Sequence, residues 1–517
     1  MLILRVRCVR NSVCQTEKFL QFLNINHLRS VNGVTESNAM TKAFITLTLI
    51  LCVLFSMAQP NFTANDVVEP YDGHFRPAVN LGEYTSFTEE QLADLAAGNA
   101  DLGVRGIGAK ALRPGLFDDY AHAEGHDSKV NEYLHFYDLG LDEHTLIVGF
   151  PHEDHQDPTE HCPGKQSEMF ANMYEPIWDG GLNGTPINEN NYYAFYLWKL
   201  VNTYGDFVRF WEIWNEPGFD FTGGLGWLPP GADGNWWEND PDPCDYKLRA
   251  PVQHYVRLLR ISWEVIKTVN PEDYVVVSGT GFPAFLDAIL RNTDNPNGGQ
   301  VTAQFPKKGG AYFDVMGYHA YPHFDGSLRE WNDDLNDFKY FRHSDAATRG
   351  LLMTRDTFQG VLSNHGYDGA TFPEKLWMIT EVNLPRKPFD DFIGSAEAQR
   401  NFMIKSVTTL MKENFLQMHV YKLAEDMYFD NALMEFDLMG LYKVLDYNGL
   451  YFQEVNDEGM AYKTVSDLLF EKTYDPIRTN ELNLSNEMDG GAFRDNYGNY
   501  TYVLWAKTTI DQSEEAH

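Results

Sequence analysis

Positive charge is what this sequence has least of. It holds 40 Lys and Arg against 74 Asp and Glu, a formal net charge of -34 over 517 residues. Nucleic-acid and anionic-membrane binders draw their affinity from clustered Lys and Arg, so both classes are excluded as principal partners. Cysteine is scarce too, at five, too few for a scaffold held by disulfides. There is one long apolar run, Ala43 to Met57, and it is shorter than the ~20 residues that span a membrane. No Gly-rich phosphate turn follows the first strand candidate, which argues against an open dinucleotide-binding sheet. No repeat, low-complexity tract or Pro/Gly/Ser linker divides the middle of the chain. Core-forming residues, by contrast, are plentiful: 43% hydrophobic and 14% aromatic, enough for a large buried core and unlike a disordered acidic chain.

The apolar run has the form of an export signal. Met40, Thr41 and Lys42 supply a short basic start, and Ser56 and Ala58 are the small residues at the -3 and -1 positions. Residues 40–58 are therefore expected to be a signal peptide cut after Ala58, and the protein to be periplasmic or secreted. Residues 1–39 are then an upstream segment, with translation expected to start at Met40. Removing 1–58 takes Cys8, Cys14 and Cys52 away and leaves Cys162 and Cys244; in an oxidising compartment these either pair or stay as two distant thiols. N-x-S/T sites at Asn61, Asn183, Asn483 and Asn499 are glycosylated only if the host does that chemistry.

From residue 78 onward, β-branched or aromatic runs alternate with Gly/Pro-rich loops and helix-period segments, the pattern of βα units. Strands are expected at 78–82, 103–109, 145–150, 208–214, 274–279, 313–318, 376–380 and 418–423. Val252, Tyr255, Val256, Leu259, Trp263 and Ile266 form one apolar helix face that Asn270-Pro271 should end. Thr88 and Gln91 read as a capping box, and Ser395 as the cap of a helix running to about Asn414. Eight such units predict a closed (β/α)8 barrel over 78–470. Residues 471–517 read as a small β-rich segment, with 59–77 a candidate contributor of strands to it. That tail is short for a full sandwich, and the natural protein is expected to continue beyond it.

The strongest chemical signal is Trp211-Glu212-Ile213-Trp214-Asn215-Glu216-Pro217, a strand ending in a carboxylate; Trp377-Met378-Ile379-Thr380-Glu381 is a second. On strands four and seven, both carboxylates face the carboxyl-terminal mouth, where active sites of this fold lie. Two opposed carboxylates suit glycosidic bond cleavage, one protonating the leaving oxygen and the other attacking the anomeric carbon. Glu212 lies four residues deeper on the same face and belongs to the barrel interior.

These two strands and their order resemble clan A retaining glycoside hydrolases. Gly149-Phe150-Pro151, the run Asp314-Val315-Met316-Gly317-Tyr318-His319-Ala320-Tyr321-Pro322, Tyr442 and Gly459-Met460-Ala461-Tyr462 are similar to motifs of glycoside hydrolase family 39, which includes β-xylosidases and α-L-iduronidases. The resemblance implies Glu216 as acid/base with a raised pKa, Glu381 as ionised nucleophile, Asn215 as donor to the sugar 2-hydroxyl, and His319 and Tyr321 lining the subsite. It implies no cofactor, and an oligosaccharide or polysaccharide substrate. Where the family's strand two shows an Arg and then a His, this sequence offers Gly108 and Lys110, with Arg113 just beyond. Lys110 and Arg113, with Arg386, Lys387 and Lys422, suggest an anionic glycan, uronate-containing or sulfated, since these cations pair with carboxylate or sulfate.

The specific expectation is an exported β-xylosidase-type enzyme. Its rivals are an α-L-iduronidase or rhamnosidase-like exo-enzyme, an agarase or porphyranase-like endo-hydrolase and, from another class, a non-catalytic carbohydrate-binding protein. Trp236 with Trp237 is a candidate sugar platform or part of the core. No metal site is assigned: His152, Glu153, Asp154 and His155, with His161 nearby, sit in a Pro-bounded loop without helical spacing and read as rim contacts. Cys162-Pro163-Gly164-Lys165 lacks the spacing of a sulfatase motif.

Overall fold

The computed structural model describes residues 62–322 and 328–515. The expected signal at 40–58, the segment 1–39 and Asn61 lie outside the described residues.

Eight parallel strands form one sheet: β1 (Arg76–Val79), β2 (Ala111–Leu112), β3 (His144–Val148), β4 (Val208–Ile213), β5 (Tyr274–Val277), β6 (Val315–Ala320), β9 (Leu376–Val382) and β10 (Gln417–Val420). Their order is β2-β1-β10-β9-β6-β5-β4-β3. The ends meet through a parallel bridge of Gly115 with Ile147 and the hydrogen bond from Leu116 N to Ile147 O at 3.1 Å. This is the expected (β/α)8 barrel. Strands such as Tyr-Val-Val-Val in β5 are buried throughout, as parallel strands covered on both faces must be.

The helices follow their sequence signals. The first, α1 (Glu89–Ala97), opens on a reciprocal Thr88–Gln91 capping box. Next come α2 (Asp118–Glu124), α3 (Val130–Asp138), α4 (Tyr192–Tyr204) and α5 (Val252–Val269). The α5 helix buries Tyr255, Val256, Leu259, Trp263 and Ile266 and stops at Asn270, just before Pro271. After α6 (Pro283–Arg291) and α7 (Ser344–Asn364), α8 (Ala396–Lys412) is capped by the Ser395 side chain. The last barrel helix is α9 (Asp457–Leu469).

Strand two departs from expectation. Residues 103–109 are not a strand, because Gly106 and Gly108 adopt left-handed φ angles of 59° and 75° and turn the chain where L side chains would be strained. The true β2 begins at Ala111, so Arg113 follows its end. A short hairpin, β7 (Arg329–Asn332) with β8 (Asp337–Tyr340), is inserted after β6; its alternation is too brief to stand out from the surrounding loop.

Beyond the barrel, β11 (Thr473–Tyr474), α10 (Pro476–Glu481), β12 (Met488–Arg494) and β13 (Tyr500–Ala506) form a three-stranded antiparallel sheet. It is tied to the barrel helices by Lys412–Asp489 at 2.9 Å and by Trp505 Nε1 donating to Asp345 at 2.9 Å. Residues 62–75 add no strand to it. They close the amino-terminal end of the barrel instead: Ala64 N bonds Ala311 O at 3.0 Å, and the Tyr71 ring packs on Phe210 and Tyr274. Burying Tyr71 there outweighs edge pairing with a distant hairpin.

Candidate active site

At the end of β4 the backbone turns sharply. Trp214 and Glu216 take φ angles of 76° and 49°, and Phe150, at the end of β3, takes 53°. Three non-glycine residues in the left-handed region on adjacent strand ends mark stored strain, which concentrates at functional sites. The turn brings Trp214 flat against Phe150, with ring centroids 4.5 Å apart. Gly149 has to be glycine here, since a Cβ would stand 2.7 Å from the Trp214 ring.

Arg113 organises the mouth. Its side chain is 2% exposed and its Nε donates to Glu212 Oε2 at 2.6 Å. Nη1 donates to Glu381 Oε1 at 2.8 Å and Nη2 to Asn215 Oδ1 at 2.8 Å. Glu212, fully buried, also accepts from Ser278 Oγ at 3.2 Å and is the interior anchor that its position on the strand suggested. Tyr321 donates to Glu381 Oε2 at 2.7 Å. His319 Nδ1 is 2.8 Å from Glu216 Oε1 and 3.5 Å from Glu381 Oε2. One oxygen each of Glu216 and Glu381 and a nitrogen of His319 lie within 4.8 Å of one another. Gly279, at the end of β5, makes room for this: a Cβ there would overlap the His319 ring.

The electrostatics differ from expectation at Glu216. Burial raises its carboxyl, but the hydrogen bond and charge of His319, with Lys247 and Arg113 behind, outweigh burial and hold it below its ordinary value. For His319 burial disfavours the imidazolium, and the carboxylates of Glu381 and Glu216 overcome that and hold it above its ordinary value. Both shifts favour a shared proton on His319 over one held on Glu216 by burial alone. Arg113 is raised, its pairing with Glu212 and Glu381 prevailing over burial. Burial and the Glu381 charge push the Tyr321 hydroxyl up, so it stays a donor.

Of the residues singled out from sequence, Asn215, Glu216, His319, Tyr321, Glu381 and Arg113 converge at this mouth. Lys110 does not: its ammonium lies over the Phe470 ring at 5.1 Å, because the chain turns at Gly108 before β2 begins. Trp236 is 1% exposed and packs on Tyr246, Phe282 and Phe285, making it core rather than platform. Arg386 is held by both oxygens of Glu425 at 2.6 and 2.8 Å, Lys422 by Asp426, and Lys387 by the carbonyls of Phe429 and Ala432. These three cations brace the loop after β10. Cys162 and Cys244 form a disulfide.

Sequence reasoning missed Lys247. It lies three residues past Cys244, donates to Asn215 O at 3.0 Å and sits 5.5 Å from the Phe150 ring. Burial lowers its pKa, against the pull of Glu216 and Glu381. Among the described residues no carboxylate forms an ion pair with it. Nothing in the local sequence marks this lysine; the disulfide three residues away was the only available hint. Exposed aromatic side chains line the loops after β4 (Phe219, Phe221, Trp227) and β10 (Tyr428, Phe429). No helix among the described residues is long and apolar enough to cross a membrane.

No family model matches the sequence, and no curated protein matches it. Solved structures similar to this chain include the catalytic domain of xylanase C from Talaromyces cellulolyticus, at 9% identity, TM-score 0.43, over 86% of this chain and 85% of that one. An endo-laminarinase from Formosa Hel1_33_131 is 14% identical, TM-score 0.42, over 71% and 83%. An exo-beta-1,4-mannosidase from Opitutaceae bacterium strain TAV5 is 11% identical, TM-score 0.40, over 79% and 62%. At this level the barrel assignment rests on the sheet itself.

Proposed function

We propose that the protein is a retaining glycoside hydrolase in which Glu381 attacks the anomeric carbon and Glu216 serves as acid and then base. The observation that carries this is the approach of the two carboxylates: one oxygen of each lies within 4.8 Å of the other, which favours the close pair of a retaining enzyme, ~5–5.5 Å between carboxyl groups, over the ~6.5–9.5 Å that leaves room for an inverting water. Arg113 and Tyr321 each donate to Glu381 and orient its carboxylate, which a nucleophile needs. Asn215, braced by Arg113, presents its amide beside Glu216, suited to a sugar hydroxyl at the reacting centre. Before attack the shared proton crosses the 2.8 Å from His319 to Glu216 Oε1 and then passes to the leaving oxygen. Once the leaving oxygen has taken that proton, Glu216 is an ionised carboxylate beside a neutral His319, and it takes a proton from the attacking water as the bond to Glu381 breaks.

The substrate class is a plant or algal polysaccharide or its fragments, with β-xylosides the first to assay. The internal pairing of Arg386, Lys387 and Lys422 favours neutral sugars; Lys247 is the observation that favours a uronate or sulfate. Turnover of neutral against sulfated oligosaccharides, by wild type and Lys247→Ala, separates the two. Export is part of the proposal, and the Cys162–Cys244 bridge supports it, since disulfides persist in oxidising compartments.

Replacing either glutamate by Gln is expected to cut kcat by about a thousandfold or more while binding survives. With azide as an external nucleophile, Glu216→Ala should yield a glycosyl azide of retained configuration and Glu381→Ala one of inverted configuration. Near-normal turnover in both glutamine variants would end this assignment of roles, whereas a wild type that binds sugars without cleaving them would indicate a carbohydrate-binding protein on this scaffold.

A further inference from the structure

The loop between β3 and α4 carries a cluster with no part in the proposed chemistry. Asp157, His161 and His254 each place one ligand atom within 4.8 Å of the others. Asp157 and His161 lie in the loop, and His254 in the first turn of α5. Asp157 Oδ1 accepts from Thr159 N at 3.0 Å and from Thr159 Oγ1 at 2.7 Å, which fixes the carboxylate. Its Oδ2 faces His161 Nε2 at 3.6 Å. His161 Nε2 and His254 Nδ1 are both buried atoms without a hydrogen-bond partner among the described residues, and their rings meet edge to face with centroids 5.1 Å apart. Two imidazole nitrogens converging on a carboxylate oxygen, each lacking a partner, are the donor set of a metal ion that takes nitrogen and oxygen ligands. Leaving buried polar atoms unmatched is costly, so such a pair calls for a ligand.

The other two His-containing clusters among the described residues converge too, but differ in what surrounds them. His122, His152 and Asp154 also come together, but the His122 and His152 rings are stacked with centroids 4.1 Å apart, and the Asp154 side chain is 71% exposed. In the Glu216, His319 and Glu381 group the facing atoms are taken up by Arg113, Tyr321 and each other.

We propose that Asp157, His161 and His254 bind one divalent transition-metal ion of the zinc type, clipping the β3–α4 loop to α5. The site adjoins the Cys162–Cys244 bridge, which ties the same loop to the segment before α5. Metal and disulfide would act together on a loop that begins at Phe150 and borders the mouth. Ligand atoms at about 2.0–2.2 Å from zinc fit within the 4.8 Å that encloses these three. The role is structural.

The test uses the whole protein, stripped with chelator and titrated with Co²⁺ and then Zn²⁺. One equivalent of Co²⁺ should give a visible ligand-field absorption that Zn²⁺ abolishes, and Zn²⁺ should raise Tm. His161→Ala and Asp157→Asn, on a surface loop where folding should survive, are expected to weaken metal binding about 100-fold or more, as is His254→Gln. His152→Ala and Glu216→Gln should leave binding unchanged. The proposal is overturned if wild type shows neither saturable metal binding nor a metal-dependent Tm. It is equally overturned if binding persists in His161→Ala and Asp157→Asn, or is lost in His152→Ala instead.

Discussion

The two ends of the barrel are built from the same materials and put them to opposite use. At the amino-terminal end each buried charge is enclosed by its partners. Arg76 pairs with Asp142 at 2.8 Å and Glu143 at 2.9 Å, and Lys267 with Asp314 at 2.9 Å with both side chains 1% exposed. Lys375 donates to the carbonyls of Gly310 and Phe313, and burial brings its pKa down to about 7. At the carboxyl-terminal mouth Arg113 is equally buried, yet it divides its donors between the sealed Glu212 and the reachable Glu381, 14% exposed. Glu216 is 37% exposed. A closed ion pair organises structure; a pair left open on one side presents charge and lone pairs to a substrate.

The sharpest way to break this contrast is to remove the arginine at each end. Arg113→Met and Arg76→Met should each cost about 3–5 kcal/mol by stranding buried carboxylates, read from denaturant midpoints. Arg113→Met should also abolish turnover, while Arg76→Met should keep its kcat at temperatures where it is folded. Adding Glu212→Leu to Arg113→Met should recover stability without recovering activity. Recovery of both would show that Arg113 serves the fold alone.

A smaller effect is expected at His319. Its raised pKa stabilises the fold fully below its ordinary 6.5, a contribution lost as pH rises through the higher folded value. The lowered Glu216 contributes above its ordinary 4.5, and that share is lost as pH falls through the lower folded value. The pair's contribution is therefore greatest between these values. In wild type the alkaline limb of kcat/KM reports loss of the shared proton; in His319→Gln the proton must reside on a carboxyl, and the limb should move toward acid by about one unit. An unmoved limb would assign the proton elsewhere.

The smallest effect belongs to Lys247→Ala. Removing this cation should raise the Glu216 pKa and shift the limb slightly alkaline, by less than about one unit, with Tm nearly unchanged because no ion pair is broken. A large loss of stability would recast Lys247 as a loop brace like Arg386.

Seven of the eight strands were legible in the sequence because buried parallel strands are runs of β-branched and aromatic residues. The eighth was misplaced because two glycines between Val104 and Ala111 turn a β-like sequence into a loop, and φ angles are not written in residue type. The displaced strand also put Lys110 beside Arg113 as a candidate at the mouth, where only Arg113 lies. The β7–β8 hairpin was missed for want of length.

Residue identity alone determined the βα alternation, the capping of α1 and α8, the end of α5 and the two strands that finish in carboxylates, since each depends on neighbours within a few positions. Only the tertiary structure decided how charges are paired: which cation meets which carboxylate, that Trp236 is core, that Cys162 meets Cys244, and that Glu216 lies low under His319. Pairing joins residues up to 268 positions apart, as Arg113 and Glu381 are, and Coulomb energy depends on distance and burial rather than on order along the chain.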